Sequence, residues 1–355
     1  MSNLEKMRSI LQDGKVDALL LTSQVSRLYA SGYDVAEGVA VIGKQESFYF
    51  TDSRYIEVAE NNLKGFTVLV TDRENPIMTL INTALAQLDA KQVGIEEDYL
   101  TYGEYLRYKE KLNAELVPSQ TEISRFRQIK EDWEIELMCK AQAITDRTFA
   151  EMLKVIKPGM TEKELAAELI YSLYRNGAEA LSFPPIVVSG PNTSLPHGVP
   201  GDRKLQYGDF ITMDFGCVFD GYCSDMTRTV ALGFVSEEMS RVYDTVLQAQ
   251  QAGISATKAG VTGKEVDGAA RKVIADAGFG EYFGHGYGHS VGLEIHEAPN
   301  CNMANDKPLP AGAVCSAEPG IYLPGKFGVR IEDVVVVTED GCRDITQSPR
   351  NLIVI

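Results

Sequence analysis

Hydrophobic and polar positions change period along the chain, and the changes divide it. In the first third, residues 16–22, 38–42, 47–51 and 66–71 are short runs rich in β-branched and aromatic side chains and bounded by turn residues, which predicts strands. Residues 54–62 and 76–88 carry apolar side chains at helical spacing. Strands alternating with helices predict a small α/β layered domain. Pro118-Ser119-Gln120 marks a break. Beyond it one long helix is written by Ile129, Trp133, Leu137, Ala141, Ile144, Thr148 and Met152, each three or four residues apart, and Lys157-Pro158-Gly159 stops it.

The later part contains an internal repeat. Residues 157–164 (KPGMTEKE) match residues 258–265 (KAGVTGKE) at an offset of 101. In each copy a Thr stands three residues before a Glu, a capping box that opens a helix. Gly177 and Gly278 close those helices at the same offset. The repeat predicts a duplicated half-domain with a pseudo-twofold seam where a site could form.

Between the two copies lies DFITMDFGCVFDGYCSDMTRTVAL (209–232). Asp220-Gly221 between β-rich arms predicts a hairpin with a two-residue type I′ turn. That turn pairs Phe219 with Tyr222 and sets Gly216 opposite Asp225. Asp214, two residues from Gly216, then shares a face with Asp225, their Cα atoms about 7–8 Å apart on a diagonal. Solvent-facing acids are the ordinary alternative. Phe210, Met213, Phe215, Phe219 and Val230 argue instead for a central hairpin, and two like charges buried together do not both stay ionised without a compensating cation.

Composition narrows the class. The chain has 355 residues, 44% hydrophobic and 24% charged, which suits two globular domains. A net charge of −16 opposes a nucleic-acid or anionic-membrane partner. No run approaches the ~18 apolar residues of a membrane span. The first residues lack the apolar core of a signal peptide, and the six scattered cysteines form no C-x-x-C pair, so reduced thiols and a cytoplasmic location are expected.

All four histidines, 197, 285, 289 and 296, lie within a hundred residues, three of them in GHGYGHSVGLEIHE (284–297). Neither a phosphate loop nor a zinc-protease helix matches that segment. Glu318 and Glu332 sit in β-rich apolar surroundings that solvated acids do not favour, and Arg330 is the expected partner of one of them. Two divalent cations would neutralise Asp214, Asp225, Glu318 and Glu332. One imidazole in an oxygen shell suits manganese, iron or cobalt better than a structural zinc site.

The D-x(10)-D hairpin, H-x-x-G-L-E-x-H-E, E-P-G-I-Y and R-I-E-D resemble the motifs of the pita-bread metallopeptidases, the family of prolidase, aminopeptidase P and methionine aminopeptidase. The resemblance covers roughly residues 125–355. Residues 1–124 resemble, more weakly, the creatinase-type N-terminal domain of the Xaa-Pro-cleaving branch. It implies an α/β (α+β) chain whose pita-bread catalytic domain has pseudo-twofold halves. It implies five ligands, Asp214, Asp225, His289, Glu318 and Glu332, around two divalent ions, manganese with cobalt, iron or zinc as alternatives, bridged by Asp225 and Glu332. His197 and His296 correspond to the family's active-site histidines, Glu318 also to its proton shuttle. His285, Tyr322 and Arg330 line the same site, and Phe183 resembles a pocket residue. The implied reaction is hydrolysis of Xaa-Pro peptide bonds by a metal-bridging hydroxide, the implied substrates are proline-containing peptides, and the implied assembly is a homodimer.

Three departures stand out. Ser290 replaces the usual Gly and is expected to crowd its loop. Cys315 and Ser316 make the approach to Glu318 less bulky. Asn300 stands where many dipeptide-cleaving members have an Arg, which tilts the expectation from dipeptidase towards aminopeptidase P. The alternatives are a methionine aminopeptidase-like enzyme, whose compact members lack an N-terminal domain, a creatinase-type amidinohydrolase, which does not keep all the carboxylates, and a non-catalytic peptide-binding protein that should have lost ligands.

Overall fold

The computed structural model describes residues 2–355 and divides into two compact units, one ending at Phe126 and the other running from Arg127 to Ile355. The first unit is built on six strands, β1 (Ala18–Leu21), β2 (Val39–Ile42), β3 (Ser47–Asp52), β4 (Thr67–Thr71), β5 (Gln92–Ile95) and β6 (Glu115–Pro118), in the order β4-β3-β2-β1-β5-β6. Leu20, Val41, Phe50, Ile81 and Val93 are in its core. The helices Ile56–Asn62 and Ile77–Gln87 fall where the spacing predicts them. Strands β5 and β6 escape the pattern because Gly94 interrupts one and a Pro ends the other. Helices Asn3–Ile10, Gln24–Ser31 and Tyr102–Lys111 also escape it, although Ser2, Ser23 and Thr101 cap them with their hydroxyls.

The second unit opens with the long helix Asp132–Val155. Its buried face runs through Ile135, Met138, Ala141, Gln142, Thr145 and Phe149. Ile129 and Trp133, assigned above to the apolar stripe, are exposed. The helix starts only at Asp132, so Ile129 precedes it, and Trp133 meets Tyr222 edge-on at 6.0 Å while half open to solvent.

The repeat is structural. Helices Glu162–Arg175 and Gly263–Asp276 both begin with a complete capping box, Thr161 with Glu164 and Thr262 with Glu265. Each is followed by a left-handed glycine, Gly177 and Gly278. The backbone before each helix docks alike: Gly159 and Leu205 exchange bonds with Leu205 and Met160, as Gly260 and Leu309 do with Leu309 and Val261. The long helices Asp132–Val155 and Glu237–Ala256 precede the two copies.

The strands of this unit are β7 (Ala180–Leu181), β8 (Ile186–Ser189), β9 (Phe210–Phe215), β10 (Cys217–Phe219), β11 (Tyr222–Cys223), β12 (Met226–Ala231), β13 (Gly288–Ser290), β14 (Glu297–Cys301), β15 (Val314–Ala317), β16 (Gly320–Leu323), β17 (Phe327–Arg330), β18 (Asp333–Val337) and β19 (Cys342–Asp344). They form sheets β11-β10-β7, β12-β9-β8, β14-β13-β15-β18-β19 and β16-β17. The hairpin keeps one register throughout, from Phe219 opposite Tyr222 to Asp214 opposite Thr227. Asp220 and Gly221 both have positive φ, as a type I′ turn requires. Between Gly216 and Asp225 the ribbon passes from one sheet into the next, and a Cβ on Gly216 would lie 1.9 Å from the Ser224 carbonyl oxygen.

The seam joins β12 to the chain entering β18. Glu332 N–H donates to Thr227 O at 3.1 Å, and Thr229 Oγ1 donates to Arg330 O at 3.0 Å. Arg228, buried, pairs with Asp333 at 2.6 Å, and Gln250 donates to the other Asp333 oxygen at 2.8 Å. Gly216→Ala is therefore expected to cost roughly 1–3 kcal/mol or more through backbone overlap. Gly268→Ala, in a helix with open space at its Cβ, is expected to gain about 0.5–1 kcal/mol. Denaturant midpoints of the two variants check the pair; equal shifts would contradict it.

Candidate active site

The seam brings acids from three segments together. Asp214 and Asp225 come from the two arms of the hairpin, Glu318 from the end of β15 and Glu332 from the residue before β18. His289 lies in the middle of β13, beside β15. One ligand atom each of Asp225, His289 and Glu332 falls within 4.8 Å of the others. His289 Nε2 is 3.2 Å from Glu318 Oε1 and 3.6 Å from Asp225 Oδ2. Asp225 is 3% exposed and Glu332 1%.

These charges repel, and burial adds to the cost of ionising them. Burial, then Glu332 and Asp214, push Asp225 well above the carboxylate range. Burial, then Glu318 and Asp214, do the same to Glu332. Burial raises Asp214 in spite of Arg330. Glu318 goes the other way: despite burial, the hydrogen bond from His289 lowers it to about 2. Burial opposes the charge on His289, yet Glu318 and Glu332 raise it to about 9.

Two carboxylate oxygens at the centre, Asp214 Oδ1 and Glu332 Oε1, are buried and have no hydrogen-bond partner among the described residues. Buried acceptors without donors, converging with an imidazole, fit divalent cations as their missing partner.

Arg330 pairs with neither Glu318 nor Glu332. Its Nη2 meets Asp214 Oδ2 at 2.5 Å, because β17 delivers it beside β9 rather than beside β15. Its Nη1 donates to Tyr322 Oη at 2.8 Å and to Pro196 O at 3.2 Å, and Tyr322 Oη lies 3.0 Å from His285 Nε2. Burial holds His285 below its ordinary pKa. One connected chain thus runs from His285 through Tyr322 and Arg330 to Asp214. His296 is exposed and meets the His289 ring edge-on at 4.4 Å. His197, also exposed, follows Pro196 and lies close enough to act electrostatically on His285 and His296. Phe183 is half-buried just after Ser182, whose hydroxyl donates to the Ser224 carbonyl beside Asp225.

Thr227, Lys130 and Arg127, which no sequence motif marks, support the site, and Ser316 and Ser290 do so by hydrogen bonds that the sequence does not show. Thr227 Oγ1 donates to Glu332 at 2.7 Å and accepts from Arg330 Nε at 3.0 Å. Ser316 Oγ accepts the His289 N–H at 3.0 Å and donates to Glu318 at 3.0 Å, so its small size serves a hydrogen-bonding role. Ser290 does not crowd its loop; fully buried, it donates to Pro299 O at 2.8 Å and ties β13 to β14. Lys130 and Arg127 hold buried Glu297, next to His296, at 2.9 and 3.3 Å.

Residues 136–339 match the model of metallopeptidase family M24, and residues 3–129 match the creatinase/prolidase N-terminal domain. The chain belongs to the M24 metallopeptidases and carries that family's pita-bread domain behind a creatinase-type domain. It is 36% identical to the Xaa-Pro dipeptidase of Pyrococcus furiosus over 99% of both chains. Among solved structures, it matches the Xaa-Pro dipeptidase from Bacillus anthracis with a TM-score of 0.96 and 40% identity over 99% of each chain. It matches the X-Pro aminopeptidase from Thermotoga maritima with a TM-score of 0.91 and 37% identity, over 96% of this chain and 98% of that one. Membership implies divalent metal ions. Among the described residues, no helix is long and apolar enough to cross a membrane.

The raised carboxylates set the sign of a stability test. A carboxyl whose folded pKa exceeds its unfolded value destabilises the fold as pH rises above the unfolded value. Chelator-treated Asp225→Asn protein at neutral pH is therefore expected to melt no lower than the chelated parent. Manganese should raise the Tm of the parent and leave the variant unmoved. A variant that melts lower and still responds to manganese would contradict the electrostatic reading.

Proposed function

We propose that the protein hydrolyses Xaa-Pro peptide bonds, as an Xaa-Pro aminopeptidase or dipeptidase, with two divalent ions held by Asp214, Asp225, His289, Glu318 and Glu332. Manganese is the ion we expect these residues would hold. The supporting observation is the convergence of four acids and one imidazole at the seam, three of the acids buried and Glu318 partly so, with two carboxylate oxygens lacking any donor among the described residues. Ions held there would polarise the scissile carbonyl and bring the pKa of water towards neutrality.

The side chains do the remaining work. His296 and His197, both exposed, donate hydrogen bonds to the substrate oxygen and to the charge that develops on it. Glu318, oriented by Ser316 and His289, accepts the proton given up by the attacking water and delivers it to the leaving proline nitrogen as the C–N bond breaks. An Xaa-Pro bond has no N–H to recognise, so selectivity falls to an apolar slot for the ring, in which this reading places Phe183. The same reading takes His285, Tyr322 and Arg330 as residues that line or buttress the site. Relatives named for Xaa-Pro dipeptidase and X-Pro aminopeptidase activity support this substrate class. Asn300, exposed and uncharged, supplies no cation for a dipeptide carboxylate and favours longer peptides. The reading takes residues 1–124 as the N-terminal domain and 125–355 as the catalytic domain of a cytoplasmic homodimer.

Manganese-loaded protein offered an Xaa-Pro dipeptide, an Xaa-Pro-Yaa tripeptide and a Met-Ala-Yaa peptide side by side tests the reading. Cleavage of the proline peptides, the tripeptide faster, is the expected outcome. Cleavage of Met-Ala-Yaa alone would favour a methionine aminopeptidase-like activity instead. Glu318→Ala should lose about 10²–10⁴-fold in kcat without a matching loss of folded protein; full activity would contradict its role.

A further inference from the structure

We propose that Glu162 is a positioning residue that sets His197 for the reaction; the inference rests on the role given to His197 above. The two halves of the repeat differ at one telling place. Lys163 N–H donates to Gly201 O as Lys264 N–H does to Asn305 O, so the helix starts dock in the same way. At the first helical position, however, one half has Glu162 and the other Gly263. The second half has no room there: a Cβ on Gly263 would lie 2.2 Å from the Asn300 carbonyl oxygen. The first half fills the equivalent space with a carboxylate that is 0% exposed.

Among the described residues Glu162 has no ion-pair partner, and four polar groups serve it instead. Its Oε1 accepts from Ser189 N–H at 2.7 Å, Ser189 Oγ at 2.8 Å and Asn192 Nδ2 at 3.0 Å. Its Oε2 accepts from Gly201 N–H at 2.9 Å. Burying an ionised carboxylate is costly unless its hydrogen bonds are complete, so this arrangement holds its donors firmly. The donors are well placed to hold a loop. Ser189 ends β8, whose Ile186 pairs with Asp214. Asn192 and Gly201 lie on either side of His197. One carboxylate therefore ties both ends of the His197 loop to the strand beside Asp214. On the other side, Arg330 donates to Pro196 O at 3.2 Å and Gly328 N–H to Thr193 Oγ1 at 2.8 Å. The loop is gripped from both flanks, with the imidazole left exposed.

Glu162→Gln keeps the shape but turns one acceptor into a donor, so either Gly201 or the Ser189 group loses its partner. Asn192→Ala removes a single donor and serves where the first variant folds poorly. The four histidines make ¹⁵N-histidine NMR a direct readout. In both variants the His197 signal should broaden or split while those of the other three keep their positions. On the Xaa-Pro tripeptide, kcat should fall roughly tenfold to a hundredfold for Glu162→Gln, with bound metal unchanged. Combined with His197→Ala, Glu162→Gln should cost no further rate beyond about twofold. An unchanged His197 signal, or losses that multiply in the double variant, would overturn the inference. A disturbed His197 signal in a protein that cleaves no proline peptide would sink the substrate reading alone.

Discussion

Repulsion among four clustered carboxylates, three of them buried and Glu318 partly so, is the constraint around which the catalytic unit is organised. Asp214, Asp225, Glu318 and Glu332 converge from segments far apart in the chain, and burial leaves little water to screen them. The protein answers in part with its own cations. Arg330 takes Asp214, and His289, raised by its acidic neighbours, takes Glu318. Asp225 and Glu332 keep the strain, since no lysine or arginine among the described residues pairs with either. A fold that concentrates charge so and leaves two oxygens without donors is built to be completed by cations.

The scaffold that makes this possible is the duplicated half. Two capped helices dock in the same way, and the seam between the halves brings Thr227 against Glu332 and Thr229 against Arg330. The hairpin adds the second requirement. Its ribbon must pass from one sheet to another between Gly216 and Asp225, and only a glycine allows the close approach of the Ser224 carbonyl. Stability and site geometry therefore draw on the same residues.

Much of this was legible in the sequence because it rests on local rules. The Asp220-Gly221 turn set the register that places Asp214 diagonal to Asp225, and the two Thr-x-x-Glu boxes announced the repeat. What stayed hidden depends on long-range neighbours. The partner of Arg330 follows from how β17 packs on β9, which no local pattern encodes. Glu162 sits in the first turn of a helix, where an acid is already explained by the helix dipole, so nothing marked it as buried. Ile129 and Trp133 fit an apolar stripe by spacing alone, yet Ile129 precedes the helix and Trp133, in its first turn, stays half open to solvent. In the first unit, β5 and β6 are no shorter than β1 and β2, but Gly94 and Pro118 break their strand pattern.

Crystals of the protein soaked in manganese and measured at the manganese absorption edge test the central claim most directly. The account predicts two anomalous peaks among Asp214, Asp225, His289, Glu318 and Glu332, with Asp225 and Glu332 contacting both. No peak among these residues, with the carboxylates unchanged and unfilled at saturating manganese, would contradict it.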